Sequence, residues 1–73
     1  MTGAPTAEEI AANYTAMGHS VDLLNAGKPD DMEDDEWTAT VSRNVEHLQL
    51  MVAKDYWTSE DMTAANAAIA ANT

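Results

Sequence analysis

The chain has no cysteine and no phenylalanine, and only three of its 73 residues are lysine or arginine. Without cysteine there is no disulfide framework and no thiolate metal site. With three cations against thirteen carboxylates the formal net charge is -10. Such a surface repels phosphate, which argues against direct binding to nucleic acid or to an anionic membrane. Glycine is also scarce, at three residues. No glycine-rich phosphate loop, G-x-S-x-G elbow or strand pattern is present, so neither a nucleotide fold nor a nucleophile elbow is indicated. Met1 to Thr6 carries no basic n-region and no apolar h-region, and no apolar run approaches the ~20 residues of a membrane span. The expectation is a soluble protein that is not exported by a signal peptide.

What is present is apolar periodicity at helical spacing. Thr6-Ala7-Glu8-Glu9 has the form of a capping box, in which the Thr6 hydroxyl accepts from the Glu9 amide and the Glu9 carboxylate reaches back. Ile10, Tyr14, Met17, Val21 and Leu24 follow at intervals of 4, 3, 4 and 3, one stripe of a helix. Gly18 interrupts the composition but not the phase, so the helix is expected to continue through it, with Gly18 available for close approach of another backbone. Gly27 and Pro29 end it near Ala26.

The richest stretch is Trp37 to Trp57, which holds both tryptophans, the single arginine and six large aliphatic residues. Its main stripe is Trp37, Val41, Val45, Leu48 and Val52, with Ser42, Arg43, Glu46, Gln49 and Lys54 on the outer face and Asn44 and His47 flanking. Asp30 to Glu36, with six acids in seven residues, suits the N-terminal turn of this helix, where the dipole favours negative charge. Asp30 is the expected cap, with Glu33 as its partner, and the helix is expected to end with Tyr56. Thr58-Ser59-Glu60-Asp61 then caps a third, alanine-rich helix. Trp57 and Met62 stand at the positions of a hydrophobic staple, and Met62, Ala65 and Ile69 form the stripe.

These readings give an all-α fold: one domain of three helices, about 7–26, 31–56 and 59–71, with short connections that make neighbours antiparallel, packed around a long central helix. A domain of this length buries only about 60% of its unfolded surface. Homo-oligomerisation or docking on a larger protein is the expected extra source of stability. Trp37 and Trp57 are assigned first to the core. The apolar width of the central helix exceeds what two neighbours cover, which singles out Leu50, Met51 and Tyr56 as partner-binding candidates. Asp30, Asp31, Glu33, Asp34 and Asp35 form a second candidate, an electrostatic patch for a basic partner, beside the plainer reading of a solvated helix start. The run fails as a calcium loop because Glu36 takes the glycine position and Ser42 the closing glutamate position. His19 and His47 lie in different helices without ligand spacing. No catalytic, cofactor-binding or metal residue is assigned, and no enzymatic activity is expected.

The segment R-N-V-E-H-L-Q-L-M-V-A-K-D-Y-W-T-S-E-D-M-T-A-A-N-A-A-I-A-A, Arg43 to Ala71, resembles the C-terminal half of short, uncharacterised bacteriophage proteins. The turn A-K-D-Y-W-T-S-E-D-M carries most of the likeness, and Met1 to Ser42 adds nothing to it. The resemblance implies a virion-associated or accessory protein, in the virion or the host cytoplasm, that docks on a larger protein without catalysis. Two other readings stay open from the charge alone. One is an acidic mimic of nucleic acid seated on a basic host protein. The other is an antitoxin-like partner that neutralises a basic chain.

Overall fold

A computed structural model describes residues 4–73 of the chain. Of the tail expected over Met1 to Pro5, Met1 to Gly3 lie outside the described residues. Three helices follow one another: α1 (Ala7–Ala26), α2 (Asp34–Val52) and α3 (Ser59–Ala71). The described residues contain no strand, and the class is all-α.

α1 begins where its sequence dictates. Thr6 Oγ1 accepts from the Glu9 amide at 3.1 Å, and Glu9 Oε1 accepts from the Thr6 amide at 3.3 Å. Both partners of the box satisfy donors that the first turn would otherwise leave orphaned. The helix runs through Gly18 without interruption and stops at Gly27, whose φ of 81° and ψ of -178° lie in a region open essentially to glycine alone. α3 repeats the device. Thr58 Oγ1 accepts from the Asp61 amide at 3.1 Å, and Asp61 Oδ2 accepts from the Thr58 amide at 3.2 Å.

α2 is shorter than expected at both ends, and with 19 residues it is no longer than the 20 of α1. Asp30 caps nothing. Residues 29–32 form a turn in which the Met32 amide donates to the Pro29 carbonyl at 3.1 Å, and Lys28 Nζ donates to the Met32 carbonyl at 3.1 Å. Glu33 is the N-cap, without a side-chain hydrogen bond. At the other end the helix stops at Val52 and the chain turns through Ala53 to Tyr56. The Met51 carbonyl, in the last turn, accepts from the Lys54 amide at 3.1 Å and from the Trp57 indole N–H at 2.6 Å. The bend that ends α2 is thus tied down by a side chain six residues on.

The pairing of elements follows from these turns. Asn13 meets Tyr56 and Ser20 meets His47, so residue numbers rise along α1 as they fall along α2, and the two are antiparallel. α3 then runs back alongside α1. Its start faces Ile10 and Tyr14, and Ala64 and Ala65 lie beside Met17 and Val21. The buried cluster takes Met17, Val21 and Leu24 from α1, Val45, Leu48 and Met51 from α2, and Ala65 and Ala68 from α3. Val41, Val52, Trp57 and Ile69 pack against its edge. Among the described residues Leu48 is the one large side chain that is completely buried. The core is therefore an α1–α2 core to which α3 contributes methyl groups, each worth roughly 0.8 kcal/mol where a buried Leu is worth about 1.5–3.

Two assignments shift in this packing. Trp37 is half-buried and does not reach the buried cluster, whereas Trp57 does. On α3 the buried stripe is Ala65 and Ala68, with Met62 and Ile69 half-buried at its margin.

Candidate functional site

Leu50 and Met51 part company in the structure. Leu50 is 65% exposed, on the outer face of α2 one turn after the exposed Glu46. Met51 is 8% exposed and belongs to the core, so it is not available to a partner. Adjacent residues on a helix point 100° apart, and Met51 falls in register with Leu48 while Leu50 does not. Tyr56 is half-buried. Its hydroxyl accepts from Asn13 Nδ2 at 2.7 Å and its ring meets Trp57 edge-on at a centroid distance of 4.6 Å. It ties the α2–α3 turn to α1 and leaves only part of its ring to solvent.

Asp30, Asp31, Glu33, Asp34, Asp35 and Glu36 are all exposed. The ion pair among them is a long one, Lys28 Nζ to Asp34 Oδ1 at 3.7 Å, with the Asp34 side chain 91% exposed. Among the described residues no group of three or more acids or histidines is arranged to hold a metal. The acids and Leu50 are not brought together. Sixteen residues of helix separate Asp34 from Leu50, about 24 Å along the axis.

His19 is exposed and His47 is half-buried. His47 Nδ1 lies 2.9 Å from the hydroxyl of the buried Ser20, in a hydrogen bond between α1 and α2. No carboxylate is bonded to the imidazole to complete a nucleophilic constellation of the triad kind. The pair satisfies a buried hydroxyl and cross-links two helices.

The apolar surface that sequence reasoning missed lies elsewhere, along the seam of α1 and α3. Tyr14 is 52% exposed although it keeps the phase of the buried stripe. Its ring rests against Trp57 at 6.1 Å, tilted by 50°. With Ile10 and Ala7 below it, this pair lines an open hollow of about 500 Å³. Beyond Tyr14 a second, narrower hollow of about 150 Å³ continues between Met17, Gly18 and Val21 on one side and Ala64 and Ala65 on the other. Asp61 borders both and Asp22 borders the second. Gly18 admits no neighbouring backbone, contrary to expectation: a Cβ built there would meet nothing within 4 Å. One signal for this groove was in the chain. A helix that presents Ala64, Ala65 and Ala68 cannot cover a stripe that starts with Ile10 and Tyr14.

The described residues include no helix long and apolar enough to cross a membrane. Comparisons of the chain with protein-family models, with curated proteins and with solved structures found no match in any of the three.

Proposed function

We propose that this chain is a small acidic docking protein that works by binding a larger protein and catalyses nothing itself. The observation that carries the reading is the half-exposed Tyr14, its ring tilted against Trp57 at the head of an open apolar groove. Aromatic side chains held rigid by packing and still open to solvent are the usual anchors of protein interfaces, because they bury large area at small entropic cost. The slim core supports the same reading, since a partner that covers the groove would add the burial that α3 does not supply. In line with the resemblance of Arg43 to Ala71, the larger protein is proposed to be a virion component or a neighbour of one, and the site of action the virion or the host cytoplasm. Docking in several copies is part of the same proposal.

The test is co-purification with virions of wild-type chain, Tyr14→Glu and Leu50→Glu. Tyr14→Glu is expected to lose association at least tenfold with its helical content intact, and Leu50→Glu to keep it. Undiminished association of Tyr14→Glu would overturn the proposed docking surface.

The exposed acids of Asp30 to Glu36 favour one alternative, an acidic inhibitor that occupies a basic groove as nucleic acid would, or neutralises a basic partner as an antitoxin does. That reading requires binding that weakens steeply with salt and survives Tyr14→Glu.

A further inference from the structure

We infer that the α1–α3 groove receives a basic amphipathic helix of another protein, an inference that rests on the docking reading above and specifies the partner's chemistry. α1 forms one wall of the groove from Ala7 to Asp22, and Trp57 and Asp61, then Ala64 and Ala65, form the other. The α1 wall is about 22 Å long, the length of four helical turns. An apolar helix face placed there meets Tyr14 and Trp57 first. One further side chain then enters the narrower hollow over Gly18, where the α1 backbone carries no Cβ and the space above it is open. Anchors at i, i+3 or i+4, and i+7 are the spacing by which a helix fills such a groove.

The charge of the occupant follows from the walls. Asp22 and Asp61 border the groove and no lysine, arginine or histidine does. The chain's three cations are placed elsewhere. Lys28 is held in the α1–α2 turn, Arg43 stands on the outer face of α2 and Lys54 lines a separate polar hollow with Glu9 and Asp55. An incoming helix with lysine or arginine on either side of its apolar ridge therefore meets carboxylates on both edges. A second copy of this chain would bring its own net charge of -10 to the same surface, and like-charged surfaces suppress association.

The experiment titrates a synthetic 15-residue helical peptide, with leucines at the anchor spacing and lysines flanking them, into the isotopically labelled full chain. The control peptide carries glutamate in place of each lysine. The lysine peptide is expected to shift amide resonances of residues 7–22 and 57–65 and to bind at least tenfold more tightly than the glutamate peptide. Gly18→Leu fills the narrow hollow from within. It is expected to melt no lower than wild type and to bind the lysine peptide at least tenfold more weakly. Asp22→Asn is expected to weaken it about threefold. Equal binding of both peptides, shifts confined to Asp30–Glu36, or full affinity in a folded Gly18→Leu would overturn the inference. So would shifts of residues 7–22 that grow with protein concentration in the absence of peptide, because they would assign the groove to a second copy. If Tyr14→Glu abolishes association with virions while the lysine and glutamate peptides bind alike, docking stands and the basic helix falls.

Discussion

On one side of α1, three large side chains of α2 fill the space around Met17, Val21 and Leu24, the Ser20–His47 hydrogen bond crosses between the two helices, and a second, from Asn13 to Tyr56, ties α1 to the turn after α2. On the other side α3 offers Ala65 and Ala68, no hydrogen bond joins its side chains to α1, and a hollow remains above Gly18. The two seams share a helix and differ in side-chain volume and in directional bonds. A seam of the first kind frames a small fold. A seam of the second kind leaves apolar surface uncovered, and that surface can be spent on a partner.

The largest break in the comparison comes from Leu48→Ala. It removes the one fully buried large side chain from the strong seam and is expected to cost about 2–5 kcal/mol. At this chain length that is enough to leave the chain largely unfolded, which circular dichroism and urea titration would show. Thr58→Ala acts on the weak side, at the cap that starts α3. It removes a hydroxyl that accepts from the Asp61 amide at 3.1 Å, and a loss of about 1 kcal/mol is expected in the same titration. Gly18→Ala has the opposite sign. Its new methyl group meets nothing and glycine within a helix costs roughly 1 kcal/mol relative to alanine. The variant is expected to gain about that much, seen as a higher melting temperature. A loss of stability would mean that the groove is closed against another backbone after all. The smallest effect is that of Ser20→Ala. It removes the buried hydroxyl at His47 Nδ1, a contact worth about 1 kcal/mol, and recovers part of that in helix propensity. A net loss near 0.5 kcal/mol is expected.

The parts of the fold legible in the sequence are those written in local chemistry. Thr6 with Glu9, Gly27 before Pro29, and Thr58 with Asp61 are signals that need no tertiary structure, and α1 starts and stops, and α3 starts, where those residues place them. The ends of α2 carry no such mark. Asp30 to Glu36 suits a helix start by charge alone at every position. What selects Asp34 is the turn closed by Met32 on Pro29 and held by Lys28, a long side chain reaching across a loop. Val52 is followed by no glycine or proline, and its stop is secured by the Lys54 amide turning back on the Met51 carbonyl and by the indole of Trp57 on the same oxygen.

The candidate site was legible in part for the same reason. Periodicity placed Tyr14 on the buried stripe and set both Leu50 and Met51 outside the main stripe of α2 as partner-binding candidates, whereas Met51 joins the core and Leu50 does not. One residue is 100° of helix, and only the positions of α1 and α3 decide between them. Tyr14 keeps its phase but loses its cover, because α2 has already ended at Val52 and the surface of α3 is alanine. Apolar periodicity specifies direction, whereas exposure depends on what stands opposite.

Native-state hydrogen exchange of the full chain, read amide by amide, tests the inequality of the two seams most directly. If α1–α2 frames the fold, the amides of Val45 to Met51 exchange only through global unfolding, and those of Ala64 to Ala71 open at a distinctly lower free energy. Equal protection of α2 and α3, or greater protection of α3, would contradict that account.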